Sequence, residues 1–184
     1  MHNVNTKQIL ALILASSLLM SIAGCNKKPS EEAESAESTS SSESAPALYQ
    51  EGVEAYQSGK FDVAAAKFRE LAEQGDSSAQ FNLGSLYRQG QGVEQDDKQA
   101  ALWWAKAADQ GHVDAMDNLG LRYAKGEGVE LDMVQAYKWF SIASLSKNAS
   151  AAANAKFAAT KLTPEQLDQA QILAKEWMQL HPKK

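Results

Sequence analysis

Cysteine is nearly absent from this chain. Its one thiol, Cys25, leaves no intrachain disulfide possible and no cysteine pair to hold a metal. Histidine is almost as scarce: His2 lies near the start, His112 in the turn Gly111-His112-Val113, and His181 close to the other end. No serine or cysteine sits in the strand–turn–helix context of a nucleophile elbow, so there is no hydrolase constellation, and His112 reads as a structural turn residue. Basic residues are outnumbered, 18 Lys and Arg against 23 Asp and Glu, for a formal net charge of −5 without a basic stripe. Nucleic-acid affinity comes mostly from neutralising phosphates, so nucleic acid is not an expected partner.

What the chain does have is self-similarity. From Leu83 run Gly84, Tyr87, Gly90, Gly92, Val93, Asp96, Ala100, Trp103, Trp104 and Ala107. At a spacing of 36 residues stand Leu119, Gly120, Tyr123, Gly126, Gly128, Val129, Asp132, Ala136, Trp139, Phe140 and Ala143. A period of this size signals stacked supersecondary units, not a globule around a catalytic pocket. Each unit reads as two antiparallel helices, A and B. Leu83 and Tyr87, four apart, share one face of an A helix. Gly84 beside them costs about 1 kcal/mol relative to alanine, a cost consistent with close approach by its B helix. Gly90-Gln91-Gly92 stops the A helix, Val93 turns inward, and Asp96 caps the B helix.

The flanks repeat the pattern incompletely. Upstream, Gly52, Tyr56, Gly59, Phe61, Ala64, Phe68, Ala72 and Gly75 follow it without the G-x-G-V loop, which displaces the A helix by 31 residues. Downstream, Ala155, Lys156 and Ala159 stand where Leu, Gly and Tyr would fall. Thr163-Pro164-Glu165-Gln166 then forms a strong helix start: Thr163 caps, Pro164 takes the first position, Gln166 reaches back and Leu162 can staple to Leu167. Ala170, Leu173, Ala174 and Trp177 make the apolar face of this last helix, expected to be a C-terminal lid.

The two full copies resemble the Sel-one-like repeat family, relatives of the tetratricopeptide repeat. The resemblance implies an all-α, right-handed solenoid of about four helix pairs, with repeats near 46–76, 77–112 and 113–148 and a cap over 149–184. It also implies a concave face lined by A helices. Carried over by position, that face comprises Gln50 and Glu54, then Phe81, Ser85 and Arg88, then Asp117, Leu121 and Lys125. Phe81 and Leu121 are apolar among charges, as expected of a groove for a peptide or partner helix.

The N-terminal stretch is of another kind. Lys7 precedes an apolar run from Ile9 to Ile22, too short for an ordinary membrane-spanning helix and followed by small residues. Its end, Ile22-Ala23-Gly24-Cys25, resembles the bacterial lipobox, which implies removal of residues 1–24 and lipidation of Cys25. One acyl chain binds membrane marginally, at about 0.8 kcal/mol per buried CH₂, and the multiply acylated cysteine of lipoproteins meets the need for more. Asn26 follows where aspartate retains many such proteins in the inner membrane, so the resemblance points to the outer membrane, facing the periplasm. Lys27 and Lys28 form only a weak patch for anionic head groups. The remainder of 25–45 is Ser and Glu with little to bury and reads as a disordered tether. Its typical reach is about 25 Å and its stretched limit about 65 Å.

Other residues with chemical potential have structural explanations. Asp97 beside Asp96 suggests paired carboxylates, but the repeat places Met133 at the equivalent position, so Asp96 is expected to cap and Asp97 to be solvated, with no metal bound. The Gly90 and Gly126 loops lie between helices and lack the strand and Lys-Ser/Thr of a phosphate loop. Trp103, Trp104, Trp139 and Phe140 read as core. No cofactor is expected. The expected function is non-catalytic: a membrane-anchored adaptor that holds an envelope protein or peptide and works by raising local concentration. Two alternatives are a β-lactam-hydrolysing envelope enzyme and a peptidoglycan or glycan binder. The cysteine-rich relatives linked to the first carry paired cysteines in each repeat, which this chain lacks.

Overall fold

The computed structural model describes residues 44–146 and 148–182. Cys25, the leader at 1–24 and the Ser/Glu stretch up to residue 43 lie outside the described residues. Within them the chain forms eight α-helices and no strand: α1 Ala45–Gln57, α2 Phe61–Glu73, α3 Ser77–Gln89, α4 Asp97–Asp109, α5 Val113–Lys125, α6 Met133–Ser144, α7 Ala149–Ala159 and α8 Pro164–Leu180. Consecutive helices from α1 to α7 pack on one another, and α7 also touches α5. This is a helical-repeat solenoid.

The boundaries follow from side chains that satisfy free backbone N–H groups. The A helices α3, α5 and α7 start at Asp76, His112 and Asn148, each accepting from the N–H three residues on. The B helices α4 and α6 start at Asp96 and Asp132. Each carboxylate accepts two N–H groups, at 2.8 and 3.0 Å for Asp96 and 2.9 and 3.0 Å for Asp132. Such caps contribute about 1 kcal/mol each. Thr163 and Gln166 form a reciprocal capping box at α8.

Within each hairpin, A and B helices meet at a glycine. A Cβ added at Gly84 would lie 2.8 Å from Trp104, one at Gly120 2.7 Å from Phe140, and one at Gly52 2.8 Å from Phe68. The ring of the B helix rests on the bare Cα of the A helix. These contacts define the register of the first unit: Gly52 corresponds to Gly84, 32 residues on, not at the expected displacement of 31. The four residues missing from the 36-residue period are those by which the loop at 58–60 falls short of the loop at 90–96.

The aromatic pair of each B helix divides its labour. Trp103 packs back into a core with Leu48, Phe68, Leu71, Leu83 and Leu86. Trp104 packs forward with Met116, Leu119 and Trp139. One unit on, Trp139 belongs to that same core while Phe140 turns toward Ala136 and Ala158. Two large rings side by side thus tie each unit to both neighbours, and Ala100, Ala107 and Ala108 between them leave the helices room to approach.

The last two helices depart from this plan. Lys156 stands where the period places a glycine, so no B-helix ring can settle there as it does on Gly84 and Gly120. Accordingly α8 packs chiefly on α6. Ala170 and Ala174 are buried, and Trp177 meets Trp139 edge to face with centroids 5.9 Å apart. The last helix thus rests on the B helix α6.

The loop glycines do two different jobs. Gly126 caps α5 with φ +67°, and a Cβ there would sit 3.3 Å from the Leu131 side chain. Gly128, with φ +76°, lies so close to the start of α4 that a Cβ would fall 2.0 Å from the Asp97 carbonyl oxygen; Gly92 stands in the same relation to Phe61. The second glycine is therefore where one repeat rests on the B helix of the repeat before. Gly126→Ala is expected to cost about 1 to 2 kcal/mol, the penalty of a left-handed non-glycine residue. Gly128→Ala should cost about 3 kcal/mol or more, because strain and a backbone clash add. Urea unfolding of the two variants checks the order; equal losses would mean that the inter-repeat contact is unimportant.

Candidate functional site

Of the eight residues expected to line a groove, the structure brings Ser85 and Arg88 into one pocket. The others are differently engaged. Gln50 and Glu54 are exposed on α1, where the Gln50 amide donates to Glu54 Oε1 at 3.1 Å. Phe81 is half-buried with its ring stacked on His112, centroids 4.6 Å apart. Leu121 is half-buried against Ala136, Phe140 and Ala158. Both apolar residues are thus occupied by packing within the solenoid. Asp117 accepts from Asn154 Nδ2 at 3.1 Å, and Lys125 is exposed in the last turn of α5.

The pocket lies among α3, α4 and α5, has a volume of about 320 Å³, and is lined by Ser85, Arg88, Gln89, Trp104, Asn118 and Arg122. Trp104 is fixed from behind, its indole N–H donating to the Phe81 carbonyl at 3.2 Å. The same carbonyl accepts from Ser85 Oγ at 3.0 Å. Arg122 projects from α5 and is only 3% exposed. Its guanidinium sits 5.8 Å from the centre of the Trp104 ring and bonds Glu127 through Nη1, while its Nε–H is buried without a partner. Burial pulls the Arg122 guanidinium below its ordinary range; Glu127 opposes that and the like charge of Arg88 adds to it.

Arg88 places its Nε 3.7 Å from Asp97 Oδ1, beyond hydrogen-bond distance. Asp97 is therefore half-buried and faces a guanidinium; it is not the solvated neighbour of a cap that the repeat comparison suggested. Each side chain keeps a little over a third of its surface exposed, so this pair adds little stability. A second depression of about 300 Å³ surrounds Leu131, Asp132 and Lys161, but the Asp132 carboxylate there is spent on capping α6.

The family model for the Sel1 repeat matches residues 77–112 and 113–148. These two segments are Sel1 repeats. Among solved structures, a protective antigen of uropathogenic Escherichia coli that displays an SLR fold is 38% identical, with a TM-score of 0.70 over 74% of this chain. A Sel1 repeat protein from Oxalobacter formigenes is 32% identical, with a TM-score of 0.58 over 70% of this chain. The present chain spans 30% of the first protein and 55% of the second. No curated protein sequence matches it. Sel1 repeats typically mediate protein–protein interaction, and their fold is generally a non-catalytic scaffold.

The pocket residues Gln89, Trp104, Asn118 and Arg122 were not anticipated as a site. The signal for Arg122 lies in a mismatch between the two Sel1 repeats. Thirty-six residues before it stands Leu86, 1% exposed and part of the core. A charged residue in one repeat where the other buries leucine is visible once the copies are compared for departures as well as for matches.

His112 has the structural role expected of it, with one chemical consequence. Its Nδ1 accepts from the Ala115 N–H at 3.3 Å, so the neutral ring is the one that caps. Burial lowers its pKa, with Asp114, its own backbone and Asp76 opposing. A histidine depressed in the folded state leaves stability intact above its unfolded value of about 6.5 and removes it as pH falls through that value toward the folded one. Acidification from about pH 7.5 to about pH 5 is expected to lower Tm more for the native chain than for His112→Asn, whose amide caps without titrating. Parallel pH profiles of the two would show that His112 does not contribute.

Proposed function

We propose that this chain is a lipid-anchored adaptor of the bacterial envelope, facing the periplasm, that binds a protein partner along its A-helix row and performs no chemistry itself. The observation that carries the reading is the pocket among α3, α4 and α5. Unlike the rings and glycines that build the repeat, its polar groups include some that the fold leaves unused. The anchor rests on Ile22-Ala23-Gly24-Cys25, and the Ser/Glu stretch behind it would give the repeat region a reach of tens of ångströms from the membrane. The mechanism is then one of effective concentration: a partner near the membrane meets a site already held there.

Two experiments test this reading. Cys25→Ala is expected to move the chain from the membrane fraction to the soluble fraction of the envelope; a variant that stays with the membrane argues against lipid anchoring. A photoreactive amino acid in place of Lys125, exposed in the last turn of α5 and outside the pocket lining, irradiated in the native cell, should yield a discrete protein adduct identifiable by mass spectrometry. Only self-adducts, or none, would count against an adaptor that works through this face.

A further inference from the structure

We propose that the pocket among α3, α4 and α5 is a carboxylate subsite, which takes an acidic side chain of the partner polypeptide. This deepens the adaptor reading and rests on it. The first observation is Arg122. The preceding repeat fills the equivalent position with Leu86, so the scaffold does not need an arginine there. Burying one is costly unless its donors are used, yet Glu127 takes Nη1 and leaves the buried Nε–H unpartnered.

The second observation is a broken ladder. Asparagine recurs at 82, 118 and 154, once in each of the A helices α3, α5 and α7. Asn82 donates across the A-helix row to Tyr49 Oη at 3.0 Å, and Asn154 to Asp117 Oδ1 at 3.1 Å. The corresponding neighbour of Asn118 is Phe81, whose ring offers no acceptor of that kind and is stacked on His112. The Asn118 amide therefore has no hydrogen-bond partner among the described residues and lines the pocket instead. Its unit has lost an acceptor at the place where Arg122 introduces donors.

The donor and acceptor balance identifies the ligand chemistry. Arg88 and the Asn118 and Gln89 amides supply N–H groups, the Arg122 Nε–H, closed off from solvent, adds one when its side chain shifts on binding, and the Ser85 hydroxyl hydrogen is already given to Phe81. A carboxylate accepts up to about four such bonds through two oxygens, and bonds to guanidinium are the stronger kind. A cation would meet two guanidiniums. Asp97, whose Oδ1 is buried without a hydrogen-bond partner, and Glu127 already face the two guanidiniums. The ligand is therefore held by the free N–H donors and not by excess positive charge, and a singly charged carboxylate meets less repulsion there than a doubly charged phosphate. At about 320 Å³ the pocket has room for an acidic side chain with its backbone, laid beside the Trp104 ring.

The test titrates the full-length chain with an acetylated, amidated pentapeptide carrying one central glutamate, and with its glutamine twin. Binding is followed through the arginine Nε–H and asparagine amide resonances. The Arg122 Nε–H and the Asn118 amide are expected to shift with the glutamate peptide and not with the glutamine one. Arg122→Leu, which installs the residue of the preceding repeat, should melt at or above the native temperature yet lose about tenfold or more in affinity. Arg88→Gln, at a partly exposed position whose ion pair adds little to folding, should weaken binding in the same direction.

Equal shifts with the glutamine peptide, or undiminished affinity in both variants, would overturn the assignment. So would inorganic phosphate that shifts the same resonances more tightly than the peptide. The chain's own Glu31, Glu32, Glu34, Glu37 and Glu43 offer the same chemistry; if changing them to glutamine tightens peptide binding about tenfold or more, the occupant is this chain and not a partner. A partner still crosslinked at residue 125 in cells carrying Arg122→Leu would remove the carboxylate subsite and leave the adaptor reading standing.

Discussion

The solenoid depends on an aromatic ring lying against a bare Cα. At Gly52, Gly84 and Gly120 the ring of the following B helix comes so close that even a methyl group would overlap it. This sets how near the two helices of a hairpin stand and which residues face the next unit. The adjoining Trp or Phe then divides between the core behind and the core ahead. The second glycine of each loop fixes the spacing between units by resting on the first backbone carbonyl of the preceding B helix. Hairpin geometry and stacking geometry thus both rely on positions where no side chain can be tolerated. Where the glycine gives way to Lys156, the hairpin is not repeated and α8 turns to α6.

That dependence explains why so much of the fold was legible beforehand. Close contacts constrain residue type, and a constraint repeated at a fixed period shows in the chain as Leu-Gly, Gly-x-Gly-Val, Asp and an aromatic pair. The caps at Asp96, Asp132 and Thr163 were legible for the same reason: a short acceptor before an apolar periodic run has one common use. Less legible was anything set by the relation between units. The first A helix sits at 32 residues from the second because Gly52, not Tyr56, makes the decisive contact. The approach of α8 to α6 follows from a site that is absent, and an absent pattern does not say which neighbour a helix will choose.

The candidate site was the least legible part, for a physical reason. A position on a helix predicts which way a residue points, but not whether its neighbour already uses it. Phe81 and Leu121 point toward the A-helix row and are absorbed by His112 and by the α6–α7 core. Asp117 is spent on Asn154, and Gln50 and Glu54 on each other. Arg88 and Ser85 reach the pocket, Ser85 with its hydroxyl hydrogen already given to Phe81, and the group beside them, Arg122, was hidden in a position that the period assigns to the core.

Repetition supplies its own control for separating what builds the scaffold from what has been added to it. The A-helix caps Asp76, His112 and Asn148 are three residue types that do one job; their variation is consistent with the fold asking only for an acceptor. Leu86 and Arg122 differ in a way the fold cannot have asked for, because one removes water from a core and the other brings a charge into it. Burying an unpaired guanidinium donor works against stability, and a marginally stable chain loses a sizeable fraction of its stability to one such group. The arginine is compensated in part by Glu127 and by the Trp104 face. What these leave unsatisfied, one N–H on Arg122 beside the unpartnered amide of Asn118, lies at the same place in the same unit. Two independent departures from the repeat thus converge on one pocket, and they are the two that the proposed carboxylate subsite draws on.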